Sequence, residues 1–260
     1  MKKIIKTLIF CGLAVTVINA NASPDTTLPT DTNITRLTLP KNVVGFSTPQ
    51  GQELLKTSPE KYSQQYWKLA EYFTTENGIS FCGPAADVMV LNALGLEPAL
   101  APAHREFTIF DQTNIFYNKD LIKDSITPAR IYMHGLPLDE TAEIINKQET
   151  IGAKAEAKVY HANKFKDEAQ FKNTLLSSMK DGKYIIINYN RADMGVSGGG
   201  HFSPLAAYNP KADMWLLMDV ARYKYPPAWI KTADLYKAIQ AKDSESHKPR
   251  GIIVVSKKNA

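Results

Sequence analysis

Two apolar stretches in the C-terminal half constrain the fold of this 260-residue chain most strongly. Residues 202–208 and 214–219 each have the length and composition of a buried strand, and the segment between them, NPKAD, has the composition of a turn. Together they predict an antiparallel hairpin. Residues 184–189 (YIIINY) and 252–255 are further strand candidates. The C-terminal half is therefore predicted to contain an antiparallel sheet.

Apolar side chains at helical spacing precede and interrupt these strands. The predicted helices cover residues 52–56, 61–73, 85–94, 138–147, 165–179 and 232–241. A weaker alternation predicts one more strand over residues 155–160, residues 97–111 are typical of a loop, and the pattern from residue 114 onward is ambiguous. Helices first and antiparallel strands later indicate the α+β class rather than a βαβ repeat.

The first 22 residues have the three parts of a secretory signal peptide. A start with three lysines precedes an apolar run over residues 8–18 and an A-x-A cleavage signal at residues 20–22. We predict export, with the bacterial periplasm as destination and Ser23 as the first mature residue. An uncleaved anchor is the alternative, but the apolar run is too short to span a bilayer comfortably.

Removal of this peptide changes what the composition implies. Loss of its three lysines lowers the net charge from +5 to +2, so the basic charge is poor evidence for nucleic-acid binding. No later segment is typical of a membrane span, and we expect no stable membrane association. Cys11 also leaves, so Cys82 becomes the sole cysteine and no internal disulfide can form. Residues 23–38 are predicted to form a mobile N-terminal arm.

Cys82 lies at the predicted start of an apolar helix. Pro84 suits a first helical turn, and Gly95 suits the end of the helix. A thiol at a helix N-terminus lies at the positive end of the helix dipole, which favours the thiolate. A small buried core cysteine is the alternative, and from this stretch alone neither interpretation is favoured.

His201 and Asp219 are the candidate base and orienting carboxylate for a nucleophilic Cys82. His201 follows three glycines and begins the first strand of the predicted hairpin, and Asp219 ends the second strand. The antiparallel pairing would bring both to the open end of the hairpin, where a carboxylate can fix the imidazole in one tautomer. The alternative is an uncoupled surface histidine beside a strand-terminal aspartate.

A competing motif occurs in the same region. Residues 195–199 (GVSGG) match G-x-S-x-G, and Asp219 and His247 follow in the order of a serine hydrolase. That motif requires a turn from a strand into a helix, whereas here it lies between two predicted strands. The chain contains no HExxH, CxxC, P-loop or GxGxxG pattern, so metal catalysis and nucleotide binding have no positive support.

Five segments together resemble the phytochelatin synthases. They are residues 81–83 (FCG), 90–94 (VLNAL), 200–204 (GHFSP), 219–227 (DVARYKYPP) and 250–251 (RG). The resemblance runs from about residue 39 to residue 256. It implies a single catalytic domain over residues 39–260 with a papain-like cysteine protease fold, in which the nucleophile helix of an N-terminal helical part packs on a C-terminal antiparallel sheet.

The same resemblance implies an activity. A Cys82 thiolate, with His201 as base and Asp219 as orienter, would cleave the Cys–Gly bond of glutathione and hold a γ-glutamylcysteinyl thioester. A second glutathione would take this group to give a phytochelatin, or water would give γ-glutamylcysteine. No cofactor is required. Cd²⁺ or Zn²⁺ would enter as a metal–glutathione thiolate substrate and serve metal detoxification, and a homodimer stays open.

Further site residues are implied by matching positions. Arg250 would bind the carboxylate of the γ-glutamyl group and Asp243 its ammonium, with Gly200 and Arg222 as additional substrate-binding positions. For Asp243 and Arg250 the alternative is a solvated charged loop, because the surrounding DSESHKPR segment is polar throughout.

The sequence departs from the family at two points. Six residues before the nucleophile, where the family has a glutamine that helps form the oxyanion hole, this chain has Glu76. An ionised carboxylate there would repel a developing oxyanion, whereas a protonated one could donate a hydrogen bond, and Asn77 is an alternative donor. We expect slow or altered turnover, with the Cys82 backbone N–H as the other donor. The cysteine-rich C-terminal extension of plant members is absent, so the chain resembles the short bacterial form and no metal-binding residues are predicted.

Two other functions remain open at this stage. One is a general papain-like cysteine peptidase or amidase acting on another small peptide. The other is a non-catalytic binding protein on the same fold, which Glu76 makes conceivable.

Overall fold

Seven antiparallel strands form a single sheet in the computed structural model, which describes residues 36–97 and 108–258. The strands lie in the order β1-β6-β5-β4-β3-β7-β2. Their bounds are Val44–Gly45 (β1), Ala155–His161 (β2), Tyr184–Asn190 (β3), Gly200–Asn209 (β4), Met214–Leu217 (β5), Ala228–Lys231 (β6) and Gly251–Lys257 (β7). The α+β class predicted from the sequence is confirmed, with N-terminal helices packed on an antiparallel sheet.

Helices cover both faces of this sheet. Their bounds are Pro49–Lys56 (α1), Gln64–Glu71 (α2), Cys82–Ala93 (α3), Lys119–Lys123 (α4), Pro128–His134 (α5), Leu138–Lys147 (α6), Glu168–Lys180 (α7) and Thr232–Ile239 (α8). Successive residues of β3 point to opposite faces: Ile186 packs with α2, α3 and α6, whereas Ile185 and Ile187 pack with α7 and α8. The central strands are buried on both faces, which explains why YIIINY is a continuous apolar run.

Several elements differ from the sequence predictions. The predicted helix over residues 61–73 is broken at Ser63, with a 3₁₀ turn before it and α2 after it. Helix α7 begins at Glu168 rather than residue 165, because the Asp167 side chain caps it by accepting from the Gln170 backbone N–H at 2.8 Å. The short strands β1 and β6 were not predicted.

Helix α3 is a core helix that presents one functional residue. Every residue of α3 except Cys82 is buried, and the helix packs against β4 and α6. Gly95 follows it with a φ of 64°, a left-handed conformation that glycine adopts without strain. The start of α3, where Cys82 lies, is therefore held beside the first residues of β4.

The N-terminal predictions fall mostly outside the described residues. The signal peptide and residues 23–35 of the predicted arm are among them. Of the arm's last residues, Arg36 donates from Nε to the Arg222 carbonyl, and the Leu37 N–H donates to the Lys224 carbonyl, both at 2.9 Å. Within the described residues, no helix has the length and apolar character needed to cross a membrane.

Candidate active site

Cys82, His201 and Asp219 meet where α3, β4 and the end of β5 converge. Cys82 is the first residue of α3 and is partly exposed, His201 is the second residue of β4, and Asp219 lies two residues after β5. His201 Nε2 lies 2.9 Å from Asp219 Oδ1. Because Nε2 is engaged with Asp219, Nδ1 is the ring nitrogen left to exchange a proton with the thiol.

The hairpin positions His201 and Asp219 as the sequence spacing suggested. Strands β4 and β5 pair in antiparallel register, with an irregularity between Leu205 and Ala207. The Met218 N–H continues the pairing by donating to the Pro204 carbonyl at 3.0 Å. The imidazole and the carboxylate are both almost fully buried, so the alternative of an uncoupled surface histidine is wrong.

Arg191 completes this network, and the sequence analysis missed it. Its Nη2 donates to both oxygens of Asp219, at 2.7 and 2.6 Å, and the guanidinium is buried. The Ala221 backbone N–H donates to Asp219 Oδ1 at 2.8 Å. The available signal was positional: Arg191 directly follows β3 as His201 directly follows the start of β4, and antiparallel neighbours bring these two ends together.

The buried charges shift the pKa values of the two central groups. Burial alone would raise the pKa of Asp219, but the charges and hydrogen bonds of His201 and Arg191 outweigh burial and hold it well below its usual range. Burial alone would lower the pKa of His201, but Asp219 and the Cys82 thiolate raise it to about 9. A His201 imidazolium beside the Cys82 sulfur is the kind of neighbour that stabilises a thiolate.

Glu76 lies beside Cys82 and His201, and only one of its two carboxylate oxygens has a hydrogen-bond partner among the described residues. It is buried, and its Oε1 accepts a hydrogen bond from the Tyr223 hydroxyl at 2.7 Å. Its Oε2 is buried without a hydrogen-bond partner among the described residues. A carboxylate oxygen of Glu76, the sulfur of Cys82 and a ring nitrogen of His201 all lie within 4.8 Å of one another. The sequence prediction that Glu76 belongs to the region around the nucleophile is thus consistent with its position.

A cleft of about 180 Å³ opens next to Cys82. Asn188, Gly200, Asp243 and Arg250 line it together with the cysteine. Arg250 Nη1 donates to Asn188 Oδ1 at 2.9 Å and pairs with Asp243 Oδ2 at 3.1 Å. Both members of this ion pair are about 7% exposed, so the alternative of a solvated charged loop is wrong.

Gly200 and Asp243 hold Arg250 in place. A Cβ added at Gly200 would overlap the guanidinium of Arg250, so only glycine permits this close approach. Asp243 also stabilises its own loop, since its Oδ1 accepts the backbone N–H groups of Glu245 and Ser246, each at 3.0 Å. Burial lowers the pKa of Arg250 despite the opposing charge of Asp243. The sequence-predicted residues Gly200, Asp243 and Arg250 therefore share one wall of the cleft.

Arg222 does not join this wall. Its Nη1 donates to the Phe73 carbonyl at 3.1 Å, and its guanidinium lies 4.4 Å from the centre of the Phe73 ring. It is not among the residues that line the cleft beside Cys82. Its role in substrate binding stays a prediction without support from this geometry.

The G-x-S-x-G motif has no strand-to-helix turn. Ser197 lies between β3 and β4, and its backbone is fixed by Tyr225, whose hydroxyl accepts from the Ser197 N–H at 3.0 Å. A strand follows the motif instead of the helix that a nucleophile elbow requires. The geometry thus removes the structural basis for a serine hydrolase.

The chain matches known proteins over most of its length. The family model described as Phytochelatin synthase matches residues 34–252. Glutathione gamma-glutamylcysteinyltransferase 1 of Lotus japonicus is 31% identical over 216 residues, which cover 82% of this chain and 40% of that protein.

Two relatives from other organisms match equally widely. Glutathione gamma-glutamylcysteinyltransferase 2 of Arabidopsis thaliana is 28% identical over 85% of this chain and 46% of its own length. Glutathione gamma-glutamylcysteinyltransferase of Schizosaccharomyces pombe is 27% identical over 84% of this chain and 50% of its own length. The chain thus spans about half or less of these relatives, but the family model covers most of the described residues. This chain belongs to the phytochelatin synthase family.

Proposed function

We propose that this protein is a glutathione γ-glutamylcysteinyltransferase that also hydrolyses glutathione, with Cys82 as its nucleophile. Family membership and the activity named for its relatives support this proposal. The observation that carries it furthest is one cleft with Cys82 at its edge and a buried Arg250–Asp243 pair on its wall. This combination of a nucleophile with two opposite charges suits the γ-glutamyl end of glutathione, which carries a carboxylate and an ammonium.

Acylation uses the thiolate–imidazolium pair. The Cys82 sulfur attacks the carbonyl carbon of the Cys–Gly bond, and the carbonyl oxygen becomes an oxyanion. His201 then gives its Nδ1 proton to the glycine nitrogen as the C–N bond breaks. Glycine leaves, and the γ-glutamylcysteinyl group stays on Cys82 as a thioester. Asp219, held by Arg191, keeps the imidazole oriented throughout.

Deacylation reverses the proton transfer. The amine of a second glutathione, or a water molecule, attacks the thioester carbonyl while His201 takes its proton. Attack by the amine gives a phytochelatin and attack by water gives γ-glutamylcysteine, and both restore the Cys82 thiolate. Partly exposed Cys82 at the cleft edge is accessible to either acceptor.

Arg250 lines the cleft with a guanidinium that is only partly engaged. Its Nη1 contacts Asn188 and Asp243, and no hydrogen bond within the described residues occupies its Nε. A guanidinium has five N–H donors in a fixed fork that matches a carboxylate. Arg250 is therefore proposed to bind the α-carboxylate of the γ-glutamyl group, and Asp243 its ammonium.

Glu76 would limit the oxyanion hole. The Cys82 backbone N–H, at the first residue of α3, has no intrahelical partner and is one donor. An ionised Glu76 offers no second donor, and one missing donor typically costs about 10²–10³ in rate. We accordingly propose slow turnover of glutathione.

Three further predictions belong to this proposal. Heavy-metal ions enter as metal–glutathione substrate complexes. The protein is exported to the bacterial periplasm, which N-terminal sequencing of the secreted chain would test by finding Ser23 rather than Met1. Sedimentation would decide between a monomer and a homodimer.

Product analysis tests the activity. The purified mature chain is incubated with glutathione, with and without Cd²⁺, and products are identified by mass spectrometry. We expect free glycine with γ-glutamylcysteine or longer oligomers, and none of these from Cys82→Ser. Cleavage of unrelated peptides at a comparable rate would instead favour a general cysteine peptidase, and a folded protein that releases no glycine would contradict the proposal.

A further inference from the structure

Three side chains at the active site have the composition of a metal site that the sequence analysis did not predict. We propose that Glu76, Cys82 and His201 bind one Zn²⁺ ion directly and that this ion silences the nucleophile. Their ligand atoms, one from each side chain, all lie within 4.8 Å of one another. Within residues 36–97 and 108–258 they form the group of His, Cys and acidic side chains that converges in this way.

Glu76 supplies a second, independent observation. The residue is about 6% exposed, and its Oε2 has no hydrogen-bond partner within the described part of the chain. A buried oxygen without a partner has lost its hydration without compensation, which is unfavourable and more so when the group is charged. An isolated carboxylate beside a thiolate is also repelled by it. A divalent cation between the two would remove both costs.

The groups around these ligands resemble the outer shell of zinc sites. Metal-bound histidines usually hydrogen-bond through their second ring nitrogen to a carboxylate, which fixes the ring. His201 does so, because its Nε2 lies 2.9 Å from Asp219, which Arg191 holds in turn. Glu76 is fixed likewise, by the hydrogen bond of its Oε1 from Tyr223 at 2.7 Å. In each of these two ligands, one polar atom is held by a neighbouring side chain and the other is left for the metal ion.

The spacing is compatible with coordination after a small adjustment. Tetrahedral zinc with one sulfur, one nitrogen and one oxygen ligand places them about 3.3–3.6 Å apart. The 4.8 Å within which the three ligand atoms lie exceeds this spacing by about 1.2–1.5 Å, so coordination requires the atoms to draw together by at most that amount. Three protein ligands leave the fourth position of tetrahedral zinc open for water or another ligand.

Zinc suits this ligand set better than other divalent ions. A thiolate is a soft ligand, an imidazole is intermediate, and a carboxylate is hard, and Zn²⁺ accepts all three. Coordination releases the proton shared by Cys82 and His201 to solvent. Metal binding does not depend on the proposed function, but the inhibition of acylation does, because the sulfur lone pair that would attack the substrate is then bound to zinc.

The test measures binding in the absence of glutathione. Metal-free mature protein is titrated with ZnCl₂ by calorimetry, and with CdCl₂ by the ultraviolet charge-transfer band of a cadmium–thiolate bond. We expect one ion per chain and a thiolate band that is absent in Cys82→Ser. Glu76→Gln should weaken Zn²⁺ binding about tenfold or more, since even outer-shell changes cost about 10–100-fold.

Matched controls separate ligand loss from misfolding. Glu71→Gln, at an exposed Lys68 ion pair, should bind Zn²⁺ as the unmodified chain does. Glu76→Gln keeps an oxygen that can accept from Tyr223, and thermal unfolding without metal checks that it folds. Unchanged Zn²⁺ affinity in folded Glu76→Gln, or no thiolate band in the unmodified chain at saturation, would overturn the proposal. Either result leaves glycine release untouched as a separate measure of the proposed function.

Discussion

Asp219 and Glu76 are two buried carboxylates near the same thiol, yet their surroundings differ. Asp219 receives hydrogen bonds from Arg191, His201 and the Ala221 backbone, so both of its oxygens are satisfied. Glu76 receives one side-chain hydrogen bond, from Tyr223, and its second oxygen has no partner among the described residues.

Asp219 therefore carries a charge that its neighbours hold in place, whereas the effect of Glu76 depends on what binds beside it. Asp219 carries a negative charge that Arg191 neutralises before any substrate binds, so it can stabilise an imidazolium without rearrangement. Glu76 faces the reacting groups with an unsatisfied oxygen, so its effect depends on whether a proton, a metal ion or an oxyanion comes near. Substitutions on the two sides should therefore have opposite consequences.

The largest effect is expected from Asp219→Asn. An amide cannot stabilise the His201 imidazolium or fix its tautomer as a carboxylate does, and the corresponding change in a serine protease costs about 10⁴ in rate. We expect a loss of that order in glycine release from glutathione. Asp213→Asn, which affects a half-exposed ion pair with Lys172, is the matched control. A loss smaller than about tenfold would show that Asp219 is not the orienter.

Arg191→Ala should mainly reduce stability. Removing one member of a buried ion pair leaves the other charge unpaired, which costs about 3–5 kcal/mol. Urea denaturation would measure this loss. The control Arg130→Ala breaks an ion pair with Glu140 whose side chains are about one-third exposed, and it should cost about 0.2–1 kcal/mol. Equal losses from the two variants would mean that burial does not make the Arg191–Asp219 ion pair more important for stability than the Arg130–Glu140 pair.

Glu76→Gln should increase the rate of acylation, whereas Asp219→Asn should decrease the rate of glycine release. A carboxamide can donate a hydrogen bond to the oxyanion, and one such donor is worth about 10²–10³ in rate. In metal-free buffer we expect faster acylation, measured as the pre-steady-state release of glycine. An unchanged acylation rate would place Glu76 outside the oxyanion hole.

His201 and Asp219 should also make the free energy of unfolding depend on pH. The pKa of His201 rises from 6.5 to about 9 on folding, so its protonated form stabilises the fold fully below pH 6.5, and this stabilisation is lost as pH rises through about 9. The pKa of Asp219 is lowered from 3.8, so its contribution is present above pH 3.8 and lost at lower pH. The summed contribution of these two groups should therefore be constant between pH 3.8 and 6.5, and the difference between the urea midpoints of the unmodified chain and of Asp219→Asn would measure it.

Asp219→Asn provides the comparison for this profile. Without the carboxylate, the alkaline fall should shift to lower pH, because His201 loses the main charge that raises its pKa. Identical alkaline profiles for the two proteins would contradict the proposed coupling.

Much of the fold could be predicted because local patterns dominate it. Leu138–Lys147 has a clear apolar face, and the structure gives the predicted bounds. The hairpin was predictable because a turn separates two apolar strands. By contrast, β1 has two residues and is defined by its pairing with β6, so no local pattern marks it. Similarly, the break at Ser63 depends on tertiary packing rather than on apolar periodicity.

The site was predictable where its residues belong to one hairpin, and unpredictable where they come from distant elements. His201 and Asp219 are linked by one hairpin, so their approach follows from local geometry. Arg191 reaches Asp219 through pairing between non-adjacent elements, and Arg250 buries its charge against Asn188, which lies 62 positions earlier in the chain. Burial of polar residues such as Asp243 and Arg250 cannot be inferred from a polar segment, because it is set by the elements around it.

The central claim is that Cys82 forms a covalent γ-glutamylcysteinyl thioester, and intact-protein mass spectrometry tests it most directly. The mature chain is mixed with glutathione, quenched in acid, and the modified residue is located by peptide mapping. The account predicts one γ-glutamylcysteinyl group on Cys82 and none in Cys82→Ser. A folded protein whose Cys82 is alkylated by iodoacetamide but never carries this group in the presence of glutathione would contradict it.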